Sequence, residues 1–219
     1  MGISPLGAGE GRTSRHWRRS NQGISMGDFT LFLGKFLRQG TAIASLAPSS
    51  RWLSRAAVSN IDWSQARVVV ELGAGTGPIT RVLCEQAPAG CRLVILERDH
   101  DFCRILRKRF AGRPELNIVE GDVRDLTTIL SSLGVDKADF IVSGLPVPSF
   151  PRDLQLALFR MVGQTLRAGG GFNQITELPL VYWRFYQKYF DEVRFVFEPR
   201  NLPPAGVYLC RGPKPLPAS

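Results

Sequence analysis

Two hydrophobic periods alternate along this chain. From residue 67 onward, short apolar runs recur at 67–72, 92–97, 116–119, 140–143, 172–176, 192–197 and 206–211. Unbroken runs of this length, rich in β-branched residues, suit strands buried on both faces. Between them, helical spacing appears at 51–58, 78–87, 100–111, 152–167 and 181–189, with a glycine turn at Gly169-Gly170-Gly171. Strands alternating with helices imply right-handed crossovers. The expected fold is α/β: a Rossmann-like, doubly wound, seven-stranded, mostly parallel sheet. Only a short Pro-rich loop separates the last two strands, so the last strand should run antiparallel.

Upstream the pattern changes. Residues 1–25 are rich in Gly, Ser and Arg without apolar period, and read as a disordered tail. After Asp28, an apt N-cap, Phe29, Phe32, Leu33, Phe36 and Leu37 fall on one helical face, with Lys35 and Arg38 off it. A Phe-rich basic helix of this kind suits a lipid interface; it can also pack on a domain core. The expected division is a tail at 1–25, a membrane-binding helix and capping segment at 26–60, a catalytic domain at 61–212 and a short tail at 213–219.

Charge sharpens this division. The net charge is +9, and residues 1–60 hold eight basic groups against two acids, or +6. That end should meet an anionic partner, a membrane surface or nucleic acid. No apolar run approaches the roughly 20 residues of a membrane span. No uninterrupted apolar core follows Arg18-Arg19, which speaks against a twin-arginine signal. Four scattered cysteines without Cys-x-x-Cys, and two isolated histidines, imply reduced thiols and no metal.

The most specific chemistry sits at residues 68–77, Val-Val-Val-Glu-Leu-Gly-Ala-Gly-Thr-Gly. A strand ends in an acid, then Gly73, Gly75 and Gly77 alternate around Ala74 before a helix begins. Such a turn lets backbone approach a ligand closely. The third glycine comes one residue too early for a dinucleotide motif, with Pro78 in its last place. In an open α/β sheet the ligand lies beyond the carboxyl ends of the strands. There the second strand ends in Glu97-Arg98, whose carboxylate suits ribose hydroxyls. The third leads to Asp122-Val123, suited to an adenine amine and ring. Glu71 organises the loop.

The Glu-x-Gly-x-Gly-x-Gly form resembles motif I of class I S-adenosylmethionine-dependent methyltransferases, which implies that cofactor. Adenine methyltransferases carry Asn/Asp-Pro-Pro-Tyr or Asn-Leu-Pro-Tyr after the fourth strand; this chain has Ser143-Gly144-Leu145-Pro146 followed by Val147. Both base-reading elements are missing, although a backbone carbonyl near Gly144 or Leu145 remains able to orient an amine. Further elements occur in order: Ala47-Pro48-Ser49-Ser50, Gln174-Ile175-Thr176 and Asn201-Leu202-Pro203-Pro204-Ala205. With the N-terminal helix, the set over residues 28–212 resembles the bacterial phospholipid N-methyltransferases of the Agrobacterium type. It departs from them at Glu177-Leu178-Pro179, where the family tends to have Tyr-Gly-Pro.

The resemblance implies stepwise N-methylation of phosphatidylethanolamine toward phosphatidylcholine, by a cytoplasmic protein bound peripherally to the anionic inner membrane. Pro48, Ser49 and Ser50 are then expected to close over the cofactor, with Ser143 beside it. Tyr182 and Tyr186 are expected at the acceptor amine, and Arg184, Lys188 and Arg200 at its phosphate. Tyrosine, Glu177 or solvent is left to take the amine's proton. The alternatives are an rRNA adenine N6-methyltransferase-like enzyme and a non-enzymatic binder that keeps the fold.

Overall fold

The computed structural model describes residues 50–216. The expected tail, the membrane helix with Phe29, Phe32, Leu33, Lys35, Phe36, Leu37 and Arg38, and the cap residues Pro48 and Ser49 lie outside these residues. Within them, seven strands form one sheet: β1 Val68–Leu72, β2 Arg92–Glu97, β3 Leu116–Glu120, β4 Ala138–Ser143, β5 Leu166–Thr176, β6 Phe190–Glu198 and β7 Ala205–Pro213. The spatial order is β3-β2-β1-β4-β5-β7-β6. The first five are mutually parallel, and β7 runs antiparallel between β5 and β6. The expected Rossmann-like sheet with an antiparallel last strand is therefore observed.

Helices cover both faces: α1 Ser50–Ala57, α2 Pro78–Gln86, α3 His100–Arg109, α4 Leu126–Ser132, α5 Arg152–Thr165 and the single turn α6 Trp183–Tyr186. The central strands alternate their side chains between two cores. Val70, Leu72 and Ile141 face α4, α5 and the aromatic group around Phe159, Phe172 and Tyr186. Val69, Leu93 and Ile95 face α1, α2 and α3. This two-sided burial is why the strands read as unbroken apolar runs. At the amino ends, Asp139 ties three strands together: it accepts from the Arg67 and Val68 N–H groups, both at 2.8 Å, and pairs with Arg167 at 3.0 Å.

Three elements differ from expectation. The strand expected at 172–176 begins at Leu166, because Gly169-Gly170-Gly171 forms a bulge inside it. Ala138 pairs with Leu166 but Phe140 with Gly171, and Gly169 sits at φ 78°. Helix α4 was not expected; its Leu-Thr-Thr-Ile-Leu-Ser-Ser sequence has little helix propensity, and burial of Leu126 and Leu130 holds it. The helix expected at 181–189 shrinks to one turn. Leu180 takes φ 63° and the Tyr182 N–H donates to the Tyr208 hydroxyl at 2.9 Å, which turns the chain before a longer helix can form.

Candidate functional site

The carboxyl ends of β1, β2, β3 and β4 converge on a narrow groove lined by Gly73, Leu96, Glu97, Asp122, Val123 and Leu145, among others. The loop after β1 builds one wall. Gly73, Gly75 and Gly77 all have positive φ, at 72°, 54° and 84°. Gly77 then caps α2, with Pro78 in the first turn where its missing N–H costs nothing. A Cβ on Gly73 would stand 2.5 Å from Leu145 Cδ2 and displace that side chain, while the positive φ favours glycine in its own right.

Glu97 fastens this loop. One carboxylate oxygen accepts the Gly75 N–H at 2.7 Å, and the other accepts the N–H groups of Arg98 at 2.7 Å and Asp99 at 2.9 Å. Its remaining lone pairs border the groove where ribose hydroxyls are expected. Asp122 stands across the groove, and Arg124 embraces it with Nε and Nη2, both at 2.8 Å, while Arg98 pairs at 3.6 Å. Burial alone would raise the Asp122 pKa; the hydrogen bonds and charge of Arg124, with the charge of Arg98, outweigh it and hold the carboxyl below its ordinary value. Asp122 thus stays an acceptor, suited to an exocyclic amine, and Val123 lies beside it for the ring.

Glu71 lies under the loop and is 1% exposed. Oε2 accepts the Thr80 hydroxyl at 2.6 Å, whereas Oε1 is buried without a partner. Burial, with a smaller push from Glu97, raises its pKa to about 8 against the opposing Thr80 bond. It is a neutral acid near pH 7 that a nearby cation would ionise. Together, the glycine cradle, the two acceptors Glu97 and Asp122 and the orphaned Glu71 oxygen fit a nucleoside that carries a cationic amino-acid arm.

A second cavity of about 220 Å³ adjoins the groove through Leu145. Its walls include Leu53, Gly144, Pro146, Ile175, Tyr182 and Tyr186, with Glu177 and Leu178 at the edge. A Cβ on Gly144 would stand 2.8 Å from the Gly73 carbonyl oxygen, so the loops after β1 and β4 touch backbone to backbone. Tyr186 is fully buried, its hydroxyl is unpaired, and burial pushes its pKa well above the ordinary phenol value. It is therefore a permanently protonated phenol and takes no proton from an acceptor.

The structure brings Gly144, Leu145, Tyr182 and Tyr186 into the lining of this second cavity, whereas Ser143, expected beside the cofactor, ends β4 and is buried. Arg200 does not line the cavity; it lies over Trp52 at 3.9 Å, next in sequence to the cavity residue Leu53, and is held by Glu198 through two 2.7 Å bonds. Arg184 and Lys188 are exposed on the segment crossing from β5 to β6 and do not line the cavity; Lys188 adjoins Tyr189, whose carbonyl accepts from Lys214 at the far end of the sheet. Of Pro48, Ser49 and Ser50, only the Ser50 backbone is described, as the first residue of α1.

Sequence reasoning gave Gln174 no role. It is 1% exposed, and its Nε2 donates to the carbonyls of Leu145 at 2.7 Å, Ile175 at 3.0 Å and Ser143 at 3.2 Å. It thereby pins the acceptor loop to β5. A buried amide at a strand's carboxyl end was the available signal. Among the described residues, no cluster of His, Cys, Asp and Glu is arranged to hold a metal, and no helix is long and apolar enough to cross a membrane.

Comparison with known proteins adds four findings. The model of the ribosomal RNA adenine dimethylase family matches residues 50–144. An ornithine lipid N-methyltransferase from Singulisphaera acidiphila is 67% identical over 189 residues, 86% of this chain and 98% of that protein. A ribosomal RNA small subunit methyltransferase A from Synechococcus is 52% identical over only 54 residues, 18% of its own length. In fold, the chain is similar to an O-methyltransferase from Bacillus cereus crystallised with S-adenosylhomocysteine: TM-score 0.59, 18% identity, covering 80% of this chain and 88% of that one.

Proposed function

The chain belongs to the family of the Singulisphaera ornithine lipid N-methyltransferase, and from that premise we propose that it methylates the terminal amine of an ornithine lipid at a membrane surface. The observation that carries this reading is the identity over nearly the whole relative. An aligned stretch of that length in a 219-residue chain takes in the acceptor cavity as well as the cofactor groove. Phosphatidylethanolamine, the acceptor expected from the sequence, offers the same primary amine. The ornithine lipid is favoured by the relative, and it presents a carboxylate where phosphatidylethanolamine has a phosphate.

S-adenosylmethionine is the methyl donor and supplies an electrophilic sulfonium methyl. Gly73–Gly77 would give it close backbone contact, Glu97 would accept from its ribose, Asp122 and Val123 would hold adenine, and the unpaired oxygen of Glu71 beneath the loop would favour its cationic arm. The protein's remaining task is alignment and exclusion of water. The acceptor amine enters through the second cavity. Gln174 already occupies the carbonyls of Ser143 and Leu145, so the Gly144 carbonyl and the Tyr186 hydroxyl oxygen orient the amine's N–H groups. The bound donor would supply its methyl carbon to the amine's lone pair, and the sulfur would keep the electrons of the broken bond. One amine proton leaves to Glu177 at the cavity mouth or to solvent, because Tyr186 stays protonated. Arg200, beside Trp52 and paired with Glu198, is the cation this reading assigns to the head-group anion.

The test uses purified protein, methyl-labelled donor, and vesicles containing either ornithine lipid or phosphatidylethanolamine, with rRNA as a third acceptor. Label in ornithine lipid is the expected result. Label confined to phosphatidylethanolamine would replace the acceptor, and label confined to RNA would overturn the lipid reading.

A further inference from the structure

Among the described residues, seven large apolar side chains are more than a third exposed. Only Ile105, on α3, stands apart. The other six are Trp52, Leu178, Leu180, Val181, Phe197 and Leu202, between 39% and 72% exposed. Pairing of Thr176 with Gly206, and of Glu198 with Ala205, brings the ends of β5 and β6 and the start of β7 together. The loops 177–182 and 199–204 therefore leave the sheet side by side. Trp52 joins them through its contact with Arg200, and Leu53 and Leu178 line the same cavity. Scattered apolar residues need no explanation, but six gathered around one cavity mouth do.

From this we infer that the rim of the acceptor cavity is a membrane-contact face within the catalytic domain, inserting Val181, Leu180 and Leu202 into the interface of an anionic bilayer. The inference rests on the lipid-acceptor reading. Three observations select a bilayer as the occupant. The rim is apolar and continuous with an apolar cavity, so a lipid can pass its head group inward while its chains stay in hydrocarbon. Cations outnumber acids beside it: Arg51 and Arg200 are exposed, and Arg55 and Arg200 lie 6.0 and 3.9 Å from the Trp52 ring, against Glu177 and the Glu198 that pairs with Arg200, a balance that suits acidic lipids. Finally, the described chain starts at Ser50, in the same helix as Trp52 and Leu53, and the sequence before it carries the Phe-rich basic positions 29–38. Leu180 supports the assignment: among the described residues it is the only non-glycine at positive φ, a costly conformation that turns an apolar side chain outward.

The experiment places a polarity-sensitive fluorophore on the full-length variants Val181→Cys and Leu202→Cys, with Ile105→Cys as the reference. The four native cysteines are buried, and burial raises their thiol pKa values, so the introduced thiols label selectively. Each protein is mixed with phosphatidylcholine vesicles with or without phosphatidylglycerol and quencher-bearing lipid. The inference expects blue-shifted, lipid-quenched emission from positions 181 and 202 on the anionic vesicles, and water-like emission from 105. In a second measurement, Val181→Asp with Leu202→Asp is expected to lower vesicle partition by about tenfold or more, from the apolar area each side chain withdraws, with methylation of a short-chain, monomeric ornithine lipid retained. Water-like emission from positions 181 and 202 on vesicle-bound protein overturns the inference, as does an equal shift at 105. So does a dimer that buries the rim. If the protein methylates lipid in detergent but these probes stay wet, the membrane face fails while the lipid reading stands. If it methylates no lipid, both fall.

Discussion

Replacing Glu71 by glutamine is expected to make the protein more stable, and increasingly so as pH rises. In the folded chain without cofactor, burial raises the Glu71 pKa from 4.5 to about 8. Below pH 4.5 folded and unfolded chains are both protonated at this residue, so the carboxyl has no effect. Between 4.5 and 8 the unfolded chain releases a proton that the folded one keeps, and stability falls by about 1.4 kcal/mol per pH unit. Above pH 8 both forms are ionised and the loss is complete. At pH 7 the penalty is therefore about 3 kcal/mol to order of magnitude, and Glu71→Gln removes it. Glutamine keeps an oxygen for the Thr80 hydroxyl but leaves a buried amide group short of partners, a cost of about 1–3 kcal/mol that does not vary with pH. The slope is therefore the test. Denaturant unfolding of both proteins at pH 5, 6, 7 and 8, with cofactor removed, should show a stability difference that grows toward the variant by more than 1 kcal/mol per unit. A difference independent of pH would show that Glu71 is ionised throughout and that its burial is tolerated by other means.

Four more substitutions probe the two cavities. Gly144→Ala pushes a Cβ to within 2.8 Å of the Gly73 carbonyl oxygen and should part the two loops; equilibrium dialysis and initial rates are expected to show donor affinity and kcat falling together, by about tenfold or more. Gln174→Leu strips the hydrogen bonds from Leu145 and its neighbours, so calorimetry should show a Tm lower by several degrees, from about 1–3 kcal/mol, and kcat should fall more than donor affinity. Asp122→Ala is expected to weaken donor binding by about tenfold and leave Tm within a few degrees, because Arg124 remains exposed to water. In Tyr186→Phe, kcat should drop without a change in the pH–rate profile, since this phenol stays protonated; a shifted acidic or basic limb would return it to the proton-transfer role.

Much of this arrangement was legible before any coordinates. Buried parallel strands write themselves as apolar runs, and the residues closing β1, β2 and β3 were readable as a ligand set because strand ends converge. What was not legible depends on partners distant in sequence. Gly169-Gly170-Gly171 looked like a turn and is a bulge, because only the pairing of β5 with β4 shows that the ladder continues past it. Nothing near Gln174 announces that its amide spans three carbonyls, two of them about 30 residues away. Asp122 was read as a free acceptor, yet Arg124 grips it from two positions along. Arg184 and Lys188 followed from clustering in the sequence, but both side chains are exposed and neither lines the cavity.

The family model of the ribosomal RNA adenine dimethylases stops matching this chain at an informative place. The dimethylase family match ends at Gly144, so it takes in the cofactor half of the fold and stops where the acceptor begins. Beyond it, the two positions that would read a flipped base are closed to that use by packing. Residue 144 has no room for an amide side chain while its backbone rests on Gly73. Residue 147 is a fully buried valine in the core, so an aromatic ring there would not face the cavity to stack on a base without rebuilding the turn. A shared donor site thus says little about the acceptor. The cavity that remains has apolar walls, backbone carbonyls and a protonated phenol, which suit a small amine on an aliphatic chain. Restoring asparagine and tyrosine at 144 and 147 is accordingly expected to lose lipid methylation without gaining RNA methylation, measured with both acceptors and labelled donor. A gain of label in RNA would mean that acceptor choice rests on those two side chains alone and not on the contact between the loops.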